Sequence, residues 1–593
     1  MKITPTSLKI DQLFGSENEQ YVIPAYQRRY SWRKQQVFDL LDDIDYLEKN
    51  DTHLLGSLVC LTDSHTADLN FIEVVDGQQR LTTLAILFAC LNERFEESVN
   101  DDVTSGLKRF LVARTSDGDS VPKIALDSLD ADEFSALCSK SELKECKNGQ
   151  LKEAFSVIRE WIDDSTDEEL AKFIFKLKNH VVGIRLDVTQ AKDAFKLFET
   201  INNRGLALSP TDIIKNFLLG NAARFGEEHL SNARRSWAQI LRHLDGTNSD
   251  NFFRHLLTAR THTRITTAYI VTTFKTLFMK EVEEAKDLPE REFYVDEVPD
   301  DEEDEKEADA DENDAVTVPT QKLTKFDVFV SDLVSAAKIY GEIVFARTRK
   351  PQVDRHLRNL RMIKMAQAYA FLMHLRIGGI KDRNFVEILR LTEAFLLRRH
   401  ICRERANETE RLFAKLCEAD PENPTNETVV AYRKECPSDE RFRQSFCDFH
   451  FNANIIDRAR YCLEKIELSG HGNEDELGVL GADAVHIEHI IPQTINTKKA
   501  KREFGDWVEY LGENASRHGE YVSRIGNLTL FSGRLNIGAS NGPFNKKKEA
   551  YKQSAIKITR DLVNLRNFRL PQVENRSEKF ADLAVQLWPI PEA

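Results

Sequence analysis

Between about residues 225 and 470 the apolar residues recur almost throughout at helical spacing, as in KFDVFVSDLVSAAKIYGEIVF, LRMIKMAQAYAFLMHLRI and NFVEILRLTEAFLLRRHI. No fixed repeat length divides this stretch as a solenoid would require. It predicts a helical connector over 226–475, and it leaves the strand-forming sequence to the two ends. HLLGSLVCL (53–61), FIEVV (71–75) and NHVVGIRLDV (179–188) read as strands, with a long apolar-periodic helix from about 79 to 97. AKDAFKLFETINN reads as a helix stopped at Gly205. Ser209 and Pro210 then fall at the N-cap and first turn of the next helix, TDIIKNFLLG. After 480 the pattern changes again, to a strand at 484–491, a polar basic loop, a second strand near 523–531 and a helix containing FNKKKEAYKQSA. A chain of 593 residues exceeds what one core supports. The expected fold class is therefore multidomain α+β, divided at 1–225, 226–475 and 476–593.

The helical stretch is interrupted by 300–314, DDEEDEKEADADEND, with eleven acids and one lysine. Such a run buries too little apolar surface to fold, so a disordered acidic loop is expected over about 283–320. A solvated linker is the plain reading; a segment that mimics DNA and shields a basic groove is the sharper one. The run carries most of the formal net charge of −15, so that total does not exclude a nucleic-acid partner. Nine cysteines with no CxxC pair argue against a zinc ribbon or a disulfide framework and fit a reducing cytoplasm. No apolar run approaches the ~18 residues of a membrane span, and the N-terminal MKITPTSLKIDQLF lacks a signal-peptide core. The expected location is cytoplasmic.

Three clusters precede residue 210. In VVDGQQRLTTL (74–84), a strand meets a helix through a tight turn at Asp76 and Gly77. That arrangement aims free backbone N–H groups at one point, which suits phosphate. Arg80 could add a two-pronged contact, and Asp76 could hold a metal ion or orient water. A D-G turn before a helix is also, very often, only a turn. IPAYQRRYSW (23–32) interleaves aromatics with Arg28 and Arg29, as base stacking and phosphate contact require; it equally fits a buried strand with snorkelling arginines or an interdomain surface. FETINNRGLALSPTDIIKN (198–216) contains Asn203 and Gly205 in a plausible C-cap, which leaves Arg204 unexplained.

Together, in this order over roughly 8–220, the three clusters resemble the N-terminal domain of the GmrSD family of Type IV restriction enzymes, whose blocks run IPxYQRxYxW, (V/I)DGQQRLTTL and F-x-x-x-N-x-RG with L-S/T-x-x-D-x-I-K-N. The resemblance implies a ParB/sulfiredoxin-like domain that handles a nucleoside triphosphate, GTP or ATP. It makes Asp76, Gly77, Gln78, Gln79 and Arg80 candidate nucleotide-site residues, with Gln27, Arg28, Asn203 and Arg204 as further members.

Near the other end, HIEHIIPQ (486–493) poses a choice between a buried strand with satisfied histidines and the strand of a metal-dependent nuclease. Phosphodiester hydrolysis needs a base for water and a cation for the leaving oxygen. A strand–strand–helix unit can supply both, and IGNLTLFSGRLN (525–536) provides Asn527 and Asn536 nine residues apart. The pattern resembles HNH nucleases, and the GmrSD family carries such a domain with IEHIxPQ, IGNLTL and a downstream F-x-x-K, here Phe544 and Lys547. That resemblance implies His489 as general base, Glu488 and Asn536 as ligands of Mg²⁺ or Mn²⁺, and Asn527 as the group that orients the base. Asn541 and Asn545 compete with Asn536. Ser532 and Leu535 stand where many HNH proteins carry a cysteine pair, so no structural zinc is expected. His486, three residues before His489, faces the opposite side of a strand and reads as a packing or supporting residue. Lys498, Lys499, Lys546 and Lys547, with Lys501, Arg502 and Lys548, are candidate DNA contacts; a solvated lysine face is the plain reading of each.

The whole chain is thus similar to a single-chain Type IV enzyme that cleaves modified phage DNA, with hydroxymethylated or glucosylated cytosine as the implied mark. Nucleotide would control cutting, and a homodimer would suit a double-strand cut. The alternatives are a ParB-like nucleotide-dependent DNA-binding regulator, a nuclease sensing phosphorothioate DNA, and one acting on RNA.

Overall fold

A computed structural model of the chain describes residues 3–48, 51–62, 69–97, 101–139, 146–202, 209–288, 323–470, 485–532 and 544–592. The chain divides into two compact units. One comprises 1–254 with 266–338, the other 255–265 with 339–593. The helical stretch expected as a separate connector is shared between them.

The first unit is mixed α/β. Its sheet contains β1 (Ile3–Lys9), β2 (Glu19–Ile23), β3 (His53–Leu61), β4 (Asn70–Asp76), β7 (Ile124–Leu126) and β8 (Val181–Val188), in the order β1-β8-β3-β4-β2-β7. The short β5 (Val112–Arg114) and β6 (Ser120–Pro122) pair separately. Central β3 runs parallel to β8 and antiparallel to β4. β3 is buried continuously from Leu58 to Leu61, and β4 buries Ile72, Val74 and Val75. The helix Gln78–Glu97 is buried at every position from Leu81 to Asn92, so it forms the interior on which the sheet rests. The helix Pro210–Phe225 starts as expected: Ser209 accepts from the Asp212 N–H, and Pro210 occupies the first turn. A short 3-10 turn, Glu283–Asp287, occupies the first residues of the span expected as an acidic loop. Its neighbours explain this: Val282 and Ala285 are fully buried, and Val282 bridges to Thr324. The 300–314 run lies outside the described residues.

The second unit is mainly helical. The helix Asp382–Ile401 is buried continuously from Leu391 to Arg399. Fully buried Arg398 is accommodated because its guanidinium donates to the carbonyls of Pro437 and Trp588 and to Asp439. Beside it, Arg458 donates to Nε2 of His400, which requires a neutral imidazole. Burial, and then the Arg458 charge, push the His400 pKa down to about 4. The ordinary histidine value is near 6.5. As pH falls through that window the unfolded chain takes up a proton that the folded chain refuses, so stability declines from about pH 6.5 toward 4. His400→Gln keeps an acceptor for Arg458 but cannot titrate. We expect its melting temperature to fall less steeply over pH 6.5–4; identical slopes in parent and variant would contradict the assignment.

At the end of this unit β9 (Val485–His489) pairs antiparallel with β10 (Leu528–Ser532), His489 opposite Leu528 and Glu488 opposite Thr529. The helix Phe544–Tyr551 follows. The connection expected as a basic loop contains short helices instead. Thr497 caps Lys498–Phe504 and Asp506 caps Trp507–Leu511, while Gly505 at φ 83° separates the two. Trp507 and Leu511 pin the segment to a local core with Ile490, Ile491, Phe531, Phe544 and Tyr551.

Candidate functional sites

In the first unit the Asp76 turn is held from three sides. Gln27 is buried and donates to the carbonyls of Val74 and Val75 at 3.2 and 2.9 Å, just before the turn. Its own oxygen accepts from the Lys215 ammonium at 2.6 Å. Gln79, also buried, accepts from the Ser31 N–H and donates to the Arg29 carbonyl. It therefore anchors the IPAYQRRYSW segment to the helix start. Gly77 takes φ +97°, where a side chain would be strained and a Cβ would strike Leu58. Gln78 is the first helical residue and half-buried.

Arg80 is less free than a phosphate fork requires. One terminal nitrogen donates to the Leu55 carbonyl at 3.2 Å and the other lies 3.4 Å from Asp76. It reaches Leu55 by crossing Gly56, where a Cβ would sit 1.9 Å from its Nη1. Burial raises the Asp76 pKa, and the charge of Arg80, the Gly77 N–H, Lys215 and Arg28 oppose that rise. Arg28 is half-exposed and 3.6 Å from Asp212. Tyr30 is buried against Thr83, and Arg29 is tied to Asp130 and Asp245, so neither is available for base stacking or phosphate contact. Asn203 and Arg204 lie outside the described residues.

Sequence reasoning assigned no role to Lys215 and Asp212, both buried on the helix Pro210–Phe225. Burial lowers the Lys215 pKa, and Asp212, 3.8 Å away, partly restores it. A cavity of about 170 Å³ opens beside Arg28 and Lys215, with Tyr26, Trp237 and Asp250 on its wall. Its wall pairs these two cations with the carboxylates of Asp212 and Asp250, so it is polar and charge-balanced.

In the second unit His489 is the last residue of β9, half-buried, with Nε2 accepting from the Gln493 amide at 3.2 Å. Burial first, then the charges of Lys547 and His518, push its pKa down to about 4. The imidazole is thus a free base at neutral pH. Asn527 is fully buried, but its contacts are not those of a group bonded to the base. Its Nδ2 donates to the carbonyls of Ile491 and Val522, both at 2.9 Å, and its Oδ1 accepts from the Ile491 N–H at 2.8 Å. It fixes His489 through the chain that follows β9. Support comes from a helix the sequence did not single out, Leu570–Leu587. Arg576 donates to the carbonyls of Gly526 and Leu528, and Ser577 accepts from the Gly526 N–H. A Cβ at position 526 would lie 2.1 Å from the Val573 carbonyl, which accounts for the glycine in IGNLTL.

Glu488 is largely buried and its carboxylate accepts from Lys547 at 2.5 Å; the same ammonium donates to the His489 carbonyl at 3.0 Å. Lys547, 3% exposed, is therefore no free DNA contact. Its helix buries Phe544, Lys547 and Tyr551 and exposes Asn545 and Lys546, so Asn545 does not share a face with Glu488's partner. Lys498 and Lys499 are exposed. His486 is exposed too, not packed as expected. Asn536 and Asn541 lie outside the described residues.

Among the described residues no group of three or more His, Cys, Asp or Glu side chains is placed to hold a metal ion. What is present still fits a hard divalent cation in part. Glu488 offers carboxylate oxygen. The Tyr551 hydroxyl, fully buried and without a hydrogen-bond partner among the described residues, is near enough for the Glu488 charge to add to burial in raising its pKa. Among the described residues no helix is long and apolar enough to cross a membrane.

Two family models match the chain: that of the GmrSD restriction endonuclease N-terminal domain over residues 10–219, and that of the GmrSD restriction endonuclease C-terminal domain over 436–583. No curated protein matches.

Proposed function

The chain belongs to the GmrSD family of Type IV restriction endonucleases, and from that premise we propose an HNH-type cleavage centre on β9 and β10, governed by a nucleoside triphosphate at the Asp76 turn. The observation that carries the first part is His489: a half-buried imidazole at a strand end, next in sequence to Glu488, in a strand–strand–helix unit inside the C-terminal match. His489 takes the proton from the attacking water. Glu488, with Asn536 as the implied second ligand, would hold Mg²⁺ or Mn²⁺, which would supply stabilisation of the charge on the phosphate and its leaving oxygen. Asn527, Arg576 and Ser577 keep the two strands in register. Lys498, Lys499 and Lys546 supply sequence-independent phosphate contacts. The N-terminal domain is read as ParB/sulfiredoxin-like, and the substrate as phage DNA bearing hydroxymethylated or glucosylated cytosine.

The nucleotide reading rests on the turn, Gln27, Arg28, Gln79 and Arg80, to which the structure adds Lys215 as a buried ammonium beside a cavity. Binding there can govern cutting only if the two states differ in nucleotide affinity. Arg80→Ala is expected to weaken nucleotide binding and to remove the nucleotide dependence of cleavage, an effect on the order of 5–150-fold in typical coupled systems. Arg80→Lys keeps the charge but not the reach to Leu55, and separates charge from packing. Calorimetry with GTP and ATP, paired with cleavage assays, is the measurement; unchanged affinity and dependence would make the turn only a turn. The overall test incubates the purified chain with glucosylated, hydroxymethylated, phosphorothioate and plain DNA and with RNA, with and without Mg²⁺ and triphosphate. Cleavage of RNA alone, or of none of these, would overturn the proposal. Light scattering in the same buffers reports whether a homodimer forms.

A further inference from the structure

We propose that Lys547 is a resident competitor for the divalent ion: its ammonium neutralises Glu488 in the metal-free protein and gives up that carboxylate when a metal binds. The inference rests on the reading of Glu488 as the metal's carboxylate ligand. A carboxylate as enclosed as Glu488 cannot stay charged without a partner. Lys547 provides one at 2.5 Å, from a helix position where Phe544 and Tyr551 share the buried face. It is 3% exposed, so it is built into the site and not a surface lysine that has folded inward.

A divalent ion at the same carboxylate would stand within a few ångströms of this ammonium, and like charges at that range repel strongly in a poorly solvated site. The two cations therefore exclude each other from Glu488. Lysine suits such an exchange, because its charge sits at the end of a flexible four-carbon stem with three donors. On leaving Glu488 it keeps its second bond, to the His489 carbonyl, so the exchange costs one ion pair and not the packing of the helix. The Tyr551 hydroxyl, buried and without a hydrogen-bond partner among the described residues, is near enough to feel the Glu488 charge, and marks polar capacity that the lysine does not satisfy. The exchange keeps the charge on Glu488 balanced in both states and makes readiness for cleavage dependent on metal concentration.

The test is Mn²⁺ binding to the full chain without DNA, followed by electron paramagnetic resonance and calorimetry, with melting temperatures as the control for folding. Lys547→Met and Lys547→Gln are expected to bind Mn²⁺ at least tenfold more tightly than the parent, and Lys547→Arg no more tightly. Structural damage moves affinity the other way, so a gain cannot come from a loosened site. Parental or weaker binding by both neutral variants would overturn the proposal, provided Glu488→Gln binds poorly. If Glu488→Gln binds Mn²⁺ as the parent does, Glu488 is no ligand, and the fault lies in the metal assignment itself. Lys547→Gln keeps a donor for Glu488, which leaves a measurable protein if the methionine variant does not fold.

Discussion

His489→Ala is expected to cleave DNA about 10²–10⁴-fold more slowly than the parent, the usual contribution of a general base. The expectation follows from where the ring sits. It ends β9, it is held neutral by burial and by the charges of Lys547 and His518, and its Nε2 already serves as an acceptor for Gln493. The strand itself does not depend on the ring, since the following residues are secured by backbone bonds to Asn527. The variant should therefore melt near the parental temperature and keep its nucleotide response. Single-turnover cleavage of a modified duplex at saturating Mg²⁺ measures the loss directly. A variant that cut at the parental rate would remove His489 from the mechanism, whereas one that lost activity together with its melting transition would show a structural role instead.

Asn527→Ala should be the more damaging substitution for the fold, although as an HNH residue it was expected to do no more than orient the base. Three hydrogen bonds converge on its amide, all to backbone groups, in a fully buried setting. Truncation strands the Ile491 N–H and two carbonyls, at roughly 1–3 kcal/mol for each group left unmet. A total of at least about 3 kcal/mol corresponds to roughly 6–12 °C in the melting temperature of a unit this size. Cleavage should fall with it, because the chain after His489 loses its fixed course. Asn527→Asp keeps the acceptor for Ile491 and forfeits the two donated bonds, so it should lie no closer to the parent than midway. A shift under about 1 kcal/mol in the alanine variant would mean that water or a neighbouring group replaces the amide.

The elements with strong patterns were legible in advance. The helix expected from about 79 to 97 runs Gln78–Glu97, and Ser209 and Pro210 begin their helix in the anticipated roles. The strand around HIEHIIPQ and the one near IGNLTLF are both present, and they pair antiparallel. What escaped had little period to read. β5, β6 and β7 are three residues each, and β1 carries polar residues and Pro5 at the sheet's edge, where one face and one hydrogen-bonding side need no partner. Lys547 was misjudged because it sits in the run KKK, which suggests a solvated face. The better signal was its spacing: three after Phe544 and four before Tyr551, it falls on the apolar stripe of its helix. Lys215 and Asp212 gave a similar clue, charged residues set among Ile213, Ile214, Phe217, Leu218 and Leu219.

The sheet order has a consequence for how the protein comes into being. β8 is the strand that joins β1 to β3, so the first sheet can close only when Val188 has left the ribosome. The β9–β10 hairpin waits for Ser532, 344 residues later. At roughly 5–20 residues per second that interval lasts about 17–70 s. A nascent chain thus holds its first sheet well before it holds the β9–β10 hairpin, and any chain abandoned before residue 485 is released without that hairpin. In a restriction endonuclease, the part that carries the proposed cleavage centre is therefore among the last to be made.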